Sequence, residues 1–309
     1  MKNRKILLVL LMILFVLPIV GCTKYVKGED KKLIVDKETG ERLVLNILCK
    51  PKKENILKLY DENKIDISNI PECNEFKITS NGYEGVWTTI FVKPLALIII
   101  KLTSLIKNVG LSIILITFII RGILYPVTKK TAMQSEIMAK AKPELDKIEK
   151  KYEGKTSQQD QMAHSQEIMM VYKKYGINPM SGCIFALIQI PLFFAFYEAM
   201  NRLPLIFEGS FLGMDLGMSP INGIAKGNFL YIIIIVLVIL TTYLSFKLNK
   251  TANNTDAAGV NMKMMTNMSI GMIALASFSI STSIGIYWIC NSTFTIIQNL
   301  LVKRGSSNA

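Results

Sequence analysis

The sequence is poor in the groups that do chemistry. It holds one histidine, His164, in 309 residues, and 23 acidic residues against 36 basic ones. It has no His-Glu-x-x-His run, no phosphate-binding glycine loop, no Ser–His arrangement and no carboxylate pair inside an apolar segment. Metalloprotease, nucleotide hydrolase and intramembrane protease chemistry therefore lack their catalytic groups, and no enzyme is expected. Neither His164 nor the five cysteines show a metal-ligand spacing, so no metal or cofactor is expected either. Also missing is a Lys/Arg block interleaved with aromatics, so the net charge of +13 does not point to nucleic acid.

Apolar residues are abundant. Half of the chain is hydrophobic and the mean hydropathy is +0.36, too apolar for an ordinary soluble domain. Lys2, Arg4 and Lys5 precede the apolar run Ile6 to Leu17, and Ile19-Val20-Gly21-Cys22 reads as a lipobox. Residues 1–21 are expected to be a lipoprotein signal, with Cys22 the lipidated (palmitate-bearing) first residue of the mature chain, outside the cell membrane; a signal anchor that happens to contain a cysteine is the other reading. Residues 22–85 form a polar extracytoplasmic region; from 23 onward it carries twelve basic and twelve acidic residues. Leu43 to Leu48 and Phe76 to Thr79 look β-like, and Asn55 to Tyr60 helical. So small a lobe leans on the membrane or on a Cys49–Cys73 bridge, and whether that bridge forms stays open. Cys183 and Cys290 fall in apolar segments as small hydrophobes.

Residues 86–108 have the length of a span but the wrong pattern. Lys93, Lys101, Ser104 and Asn108 recur at helical spacing, opposite Phe91, Leu95, Ile98, Leu102 and Leu105. This predicts an amphipathic helix lying flat in the outer interface, since a full span would place Lys101 at the midplane at a cost of about 3 kcal/mol. Five apolar segments follow within a core at 109–304, before a tail at 305–309: Val109 to Val127, Met180 to Met200, Phe229 to Phe246, and two from Met264 to Val302, broken around Ser281 to Gly285. Each has about the 17–25 residues that a bilayer requires. With Cys22 outside, the 128–178 loop and its ten lysines fall inside, as do Lys247, Lys250, Lys263, Lys303 and Arg304. The 202–228 loop, with Arg202 and Lys226, falls outside, which satisfies the positive-inside rule.

The inner loop carries its own pattern. Met133, Ile137, Ala141, Leu145, Ile148 and Tyr152 make one helical stripe, with Pro143 set to kink or restart it. Gly154-Lys155-Thr156 is a turn, and Ser157 with Asp160 has capping spacing for a second helix. Met162, Ser165, Met169 and Tyr172 line its inner face, and Gly176 ends it. Residues 129–176 thus read as a cytoplasmic helical hairpin, with His164 solvent-exposed. The fold class is an all-α membrane protein with five transmembrane helices, an outer interfacial helix and this hairpin.

Arg121 is the most informative residue. It sits in the first span, roughly 9 Å from its cytoplasmic end. Snorkelling to the inner headgroups is one reading; the other, favoured by that depth, is a water-filled cavity facing away from lipid. Gln189, before Pro191, lies mid-way along the second span. Thr241, Thr242 and Ser245 form a polar stripe on the third, and Tyr287, Asn291, Thr295 and Gln298 one on the last, beside Trp288. Each stripe alone is ordinary helix-packing glue. Together with Thr117 and Arg121 they point to a shared hydrophilic groove.

Three segments resemble a known family. Ile119-Ile120-Arg121-Gly122-Ile123-Leu124-Tyr125-Pro126 with Lys129-Lys130-Thr131-Ala132-Met133-Gln134 is similar to the first span and loop of the YidC insertases, bacterial relatives of the mitochondrial Oxa proteins. Tyr175-Gly176-Ile177-Asn178-Pro179-Met180 onward to Gln189-Ile190-Pro191 resembles the family's approach to its second span, and Gly285-Ile286-Tyr287-Trp288 its last. The likeness runs over about 86–304, with a lipoprotein start as in Gram-positive members. It departs where Thr266, not proline, follows Met264-Met265, and where Ser245 and Phe246 replace a glutamine. The resemblance implies a five-helix core whose groove opens to cytoplasm and lipid, with Arg121 its positive centre. It implies nascent membrane proteins as clients, and the Sec translocon, the ribosome or signal-recognition targeting factors, and membrane lipids as partners. A small-solute channel or transporter using the same groove is the alternative.

Overall fold

In a computed structural model the chain is mostly helical. The structure describes residues 23–28, 30–155, 157–178, 181–248 and 262–307, without the side chains of 181–188, 262, 263, 265, 306 and 307. The signal segment, Cys22, Lys250 and the side chains of Cys183 and Lys263 lie outside the described residues. The elements are α1 (Glu54–Glu62), a π turn (Thr88–Val92) running into α2 (Lys93–Ile106), α3 (Val109–Tyr152), α4 (Gln158–Tyr175) and α5 (Ser181–Arg202). Then come α6 (Pro204–Phe207), the hairpin β1 (Ser210–Phe211) and β2 (Met214–Asp215), α7 (Pro220–Ala225), α8 (Tyr231–Leu248), α9 (Met262–Ser279) and α10 (Thr282–Ser307). Among the described residues, Thr88–Ile106, Val109–Tyr152 and Tyr231–Leu248 are long and apolar enough to cross a bilayer. This is a helical membrane protein.

The chain divides into two compact units: 1–118, 187–236 and 277–288, and then 119–186, 237–276 and 289–309.

The first unit contains the polar lobe. Its core is Val26, Leu43, Val44, Ile47, Ile56 and Tyr60, joined by Phe207 from α6. The Tyr60 hydroxyl donates to the Val44 carbonyl at 2.5 Å, so the ring is buried without losing its hydrogen bond. Cys49 and Cys73 are bridged, with Cα atoms 4.8 Å apart. Glu208, one residue beyond Phe207, accepts from the Lys52 and Lys53 amides, each at 2.7 Å. A segment of few apolar residues thus completes its core with a residue from far along the chain. Strand pairing is sparser than the β-like pattern of Leu43 to Leu48 predicts. Among the described residues of the lobe only single bridges form (Tyr25 with Val44, Lys27 with Leu33, Val35 with Arg42), and Phe76 to Thr79 forms no strand, with Ile78 and Thr79 in a turn.

Two helix boundaries differ from the sequence expectation. The first span and the helix after it are one helix, α3, uninterrupted through Pro126 and Pro143. The break between the last two apolar segments comes at Ile280–Ser281, earlier than Ser281 to Gly285. Thr282 already opens α10, donating its amide (3.0 Å) and hydroxyl (2.8 Å) to the Met218 carbonyl.

In the second unit the end of α3 and α4 run antiparallel. Met138, Ala141, Leu145, Ile168, Val171, Tyr172 and Ile177 form their core, with Ile137 and Ile148 against it. Lys151 with Glu167 (2.5 Å) and Lys174 with Glu144 (2.6 Å) bridge the flanks. Ser157 caps α4, accepting from the Asp160 amide at 3.1 Å, and Gly176 ends it with φ +67°. On α3 the expected stripe is buried at Ala141 and Leu145, with Ile137 and Ile148 against it, and only Met133 points outward. On α4 Tyr172 is buried as expected, but Met162 and Met169 point outward because Ile168 and Val171 on the neighbouring stripe fill the contact. His164 is half-buried rather than solvent-exposed, its ring 5.2 Å from that of Tyr152.

Candidate functional site

Arg121 lies on α3 with only 2% of its surface exposed. Its Nη2 donates to the Thr295 hydroxyl at 3.0 Å and to the Asn291 carbonyl at 3.3 Å, both on α10. The guanidinium lies 5.8 Å from the centre of the Phe294 ring. A hydroxyl and a peptide oxygen receive these hydrogen bonds, and the low dielectric around the guanidinium strengthens its interaction with other charges. Thr295 in turn donates to the Asn291 carbonyl at 3.1 Å, which orients it. Two turns along α3, buried Thr128 donates to Gln298 of α10 at 3.1 Å. The contact between these two helices is therefore a polar ladder, with the guanidinium as one rung.

The other expected groove residues are placed as follows. Thr242, on α8, is buried in the same unit as Arg121, Asn291 and Thr295. Thr117, Gln189 and Trp288 belong to the first unit. Thr117 is buried, donating back along α3 to the Ile113 carbonyl at 2.6 Å. Gln189 is half-buried on α5, and Trp288 stands edge-on to Phe193 with ring centres 5.3 Å apart. Direct contact thus unites Arg121, Asn291 and Thr295.

A second charged cluster was not legible in the sequence. In the first unit, Arg202 is fully buried at the end of α5. It bonds Glu198 one turn back (2.9 Å), Glu84, and the Asn46 carbonyl (2.7 Å). The Trp87 indole donates to the other Glu198 oxygen at 3.0 Å. Lys93 is also fully buried and donates to the carbonyls of Ser80 (2.7 Å) and Gly82 (2.6 Å), 3.7 Å from Glu84. Lys93 is therefore not part of an outward cationic stripe. Two acids and two bases compensate each other, which lets the group be buried. The local signal was slight: Glu198 and Arg202 have i,i+4 spacing, but nothing in sequence ties them to Glu84.

A family model described as "60Kd inner membrane protein" matches residues 101–309. The chain belongs to that family. The family match covers both helices of the Arg121 ladder, while residues 23–85 lie outside it. Similar proteins include "Membrane protein insertase YidC" of Oceanobacillus iheyensis, 33% identical over 77% of this chain and 91% of that one. Another protein of that name, from Alkalihalophilus pseudofirmus, is 36% identical over 70% of this chain and 81% of its own. "Membrane protein insertase MisCA" of Bacillus subtilis is 33% identical over 70% and 79%.

Proposed function

We propose that this chain is a membrane protein insertase. The observation that carries the reading is a buried arginine bonded to neutral oxygens of α10, within a chain whose family relatives bear that name. Five helices (α3, α5, α8, α9 and α10) cross the membrane, the end of α3 and α4 form a cytoplasmic hairpin, and α2 lies in the outer interface. The burial of Lys93 against lobe carbonyls and the exposure of Lys101 support the placement of α2 at the surface rather than across the bilayer. Cys22 carries the lipid anchor, and the N-terminal side faces outward.

In this mechanism the polar tail of a nascent membrane protein enters a hydrophilic groove lined by Arg121, Thr117, Gln189, Thr242, Trp288, Asn291 and Thr295. Polar groups on the tail thereby avoid bare hydrocarbon. Arg121 attracts acidic residues on the tail, while apolar client segments partition into lipid. The membrane potential favours outward movement of each negative charge by about 2.3 kcal/mol per 100 mV. No nucleotide is consumed. The hairpin receives clients from the ribosome or targeting factors, and the outer surfaces meet the Sec translocon. A solute channel has no comparable support, since the relatives bear the insertase name.

The test is insertion of a two-span client with an acidic tail into liposomes holding the purified protein, read by protease protection. Arg121→Lys keeps most insertion, because attraction of an acidic tail needs a positive charge rather than the planar geometry of a guanidinium. Arg121→Ala loses about tenfold or more, corresponding to the ~1.5–3 kcal/mol of a hydrogen bond to a charged group. Insertion unchanged in Arg121→Ala would remove the charge mechanism. Liposomes that pass small solutes without protecting the client would overturn the function.

A further inference from the structure

The turn between β1 and β2 is two residues, Leu212-Gly213, with φ +51° and +78°. Positive φ at both positions is the pattern of tight hairpin turns that favour Asn-Gly, and leucine there is strained because its Cβ crowds the backbone. The strained side chain is not buried in return: Leu212 is 73% exposed. Nor is the hairpin loosely held. The Phe211 ring covers Gly110 at the start of α3 so closely that a Cβ there would sit 2.2 Å from it. The Asn228 side chain donates to the Gly213 carbonyl at 2.9 Å, and the Asp215 amide donates to the Tyr231 hydroxyl at 2.7 Å. A firmly held platform thus presents one leucine outward in a backbone conformation that Lys31, Lys64, Asn81 and Lys107 share; among these five it is the apolar one, and the cost of the conformation asks for a compensating contact.

The surroundings identify what covers it. Leu230 closes on the turn, its Cδ1 3.4 Å from the place a Cβ on Gly213 would take. Phe229 (67% exposed) and Leu230 continue without a polar break into the exposed face of α8, at Ile233 and Val236. That face belongs to a helix apolar and long enough to cross the membrane. We infer that the Leu212 tip, with Phe229 and Leu230, is seated in the interfacial layer of a phospholipid leaflet, as a wedge that fixes how deep this end of α8 sits. Membrane burial of an apolar side chain offsets the strain, which water would not.

The inference rests on α8 crossing the bilayer, and the experiment separates the two. Leu212→Trp, and Val236→Trp as the reference, are placed in the full-length protein in phosphatidylglycerol vesicles. Emission is read as the difference from the wild type, so that Trp87 and Trp288 cancel. The expected Leu212→Trp signal is blue-shifted, quenched more by lipids brominated high on the acyl chain than by those brominated deep, and untouched by iodide. Val236→Trp is quenched by the deep bromolipids; loss of that quenching indicts the placement of α8 rather than the wedge. Emission as in water with iodide quenching overturns the wedge. So does a blue shift without bromolipid quenching, which would mean that protein, such as a second copy, covers the tip. Leu212→Asn should unfold no earlier than the wild type in detergent, since asparagine suits the backbone. A lowered unfolding temperature would show that Leu212 packs on protein, which also overturns the wedge.

Discussion

At the scale of single residues, the two clusters show opposite ways of keeping charge out of water. Glu84, Lys93, Glu198 and Arg202 cancel one another, whereas Arg121 donates to the Thr295 hydroxyl and the Asn291 carbonyl, which solvate its charge. The first arrangement joins acids to bases, and the second joins a guanidinium to a hydroxyl and a peptide oxygen. Arg121 was legible because a lone arginine within an apolar run is costly and conspicuous. The compensated cluster was not, since its members are spread from Glu84 to Arg202 and each alone resembles a surface residue. A third residue gives the lobe a pH dependence. Burial, with Asp36 beside it, pushes the Glu41 carboxyl up to about 8. The folded lobe then holds a proton that the unfolded chain has released, so its stability falls as pH rises from the ordinary carboxylate range to about 8 and levels off above. Tertiary near-ultraviolet dichroism during thermal unfolding should give a lower lobe transition at pH 8.5 than at pH 5.5. Glu41→Gln should flatten that difference; a dependence that survives the substitution would place its origin elsewhere.

At the scale of elements, helix existence was plain from apolar length, and caps were plain where chemistry is local, as at Ser157 and Gly176. Helix rotation was plain on α3, where Ala141 and Leu145 are buried as expected, but not on α4. There the sequence offers two adjacent apolar stripes, and periodicity cannot choose between them. The structure buries Met138, Ala141 and Leu145 against Ile168, Val171 and Tyr172, leaving Met133, Met162 and Met169 outside. The continuity of α3 through two prolines was equally invisible, because proline statistics favour a break that neighbouring turns here absorb. Leu145→Ala should therefore cost about 2–5 kcal/mol in the unfolding of this helical pair. Met169→Ala should stay within about 0.5 kcal/mol, as for a surface site. Equal losses from the two would return Met169 to the core. Measured opening of α3 and α4 amides by hydrogen exchange reports both.

At the scale of the whole molecule, the lobe is not a domain that precedes a membrane protein but one that membrane-protein residues complete. Phe207 enters its core, Glu208 caps its chain at Lys52 and Lys53, and Arg202 holds the Asn46 carbonyl and Glu84. Arg202→Met should leave Glu198 without its cation, and Glu84 with Lys93 alone, at a cost of about 3–5 kcal/mol. Limited proteolysis within 23–85 should then speed up markedly while the helices stay protected; an unchanged cleavage rate would mean that the lobe stands alone. The place of Phe207 in the chain also fixes an order in time. Residues 23–85 leave the ribosome early, yet the side chain that closes their core is made more than a hundred residues later. At synthesis rates of about 5–20 residues per second that is a wait of roughly 6–25 seconds. The lobe therefore cannot mature before Phe207 is made, although its own residues are made early. Until then Cys49 and Cys73 belong to an unfinished segment, open to a wrong partner and dependent on the rest of the chain arriving.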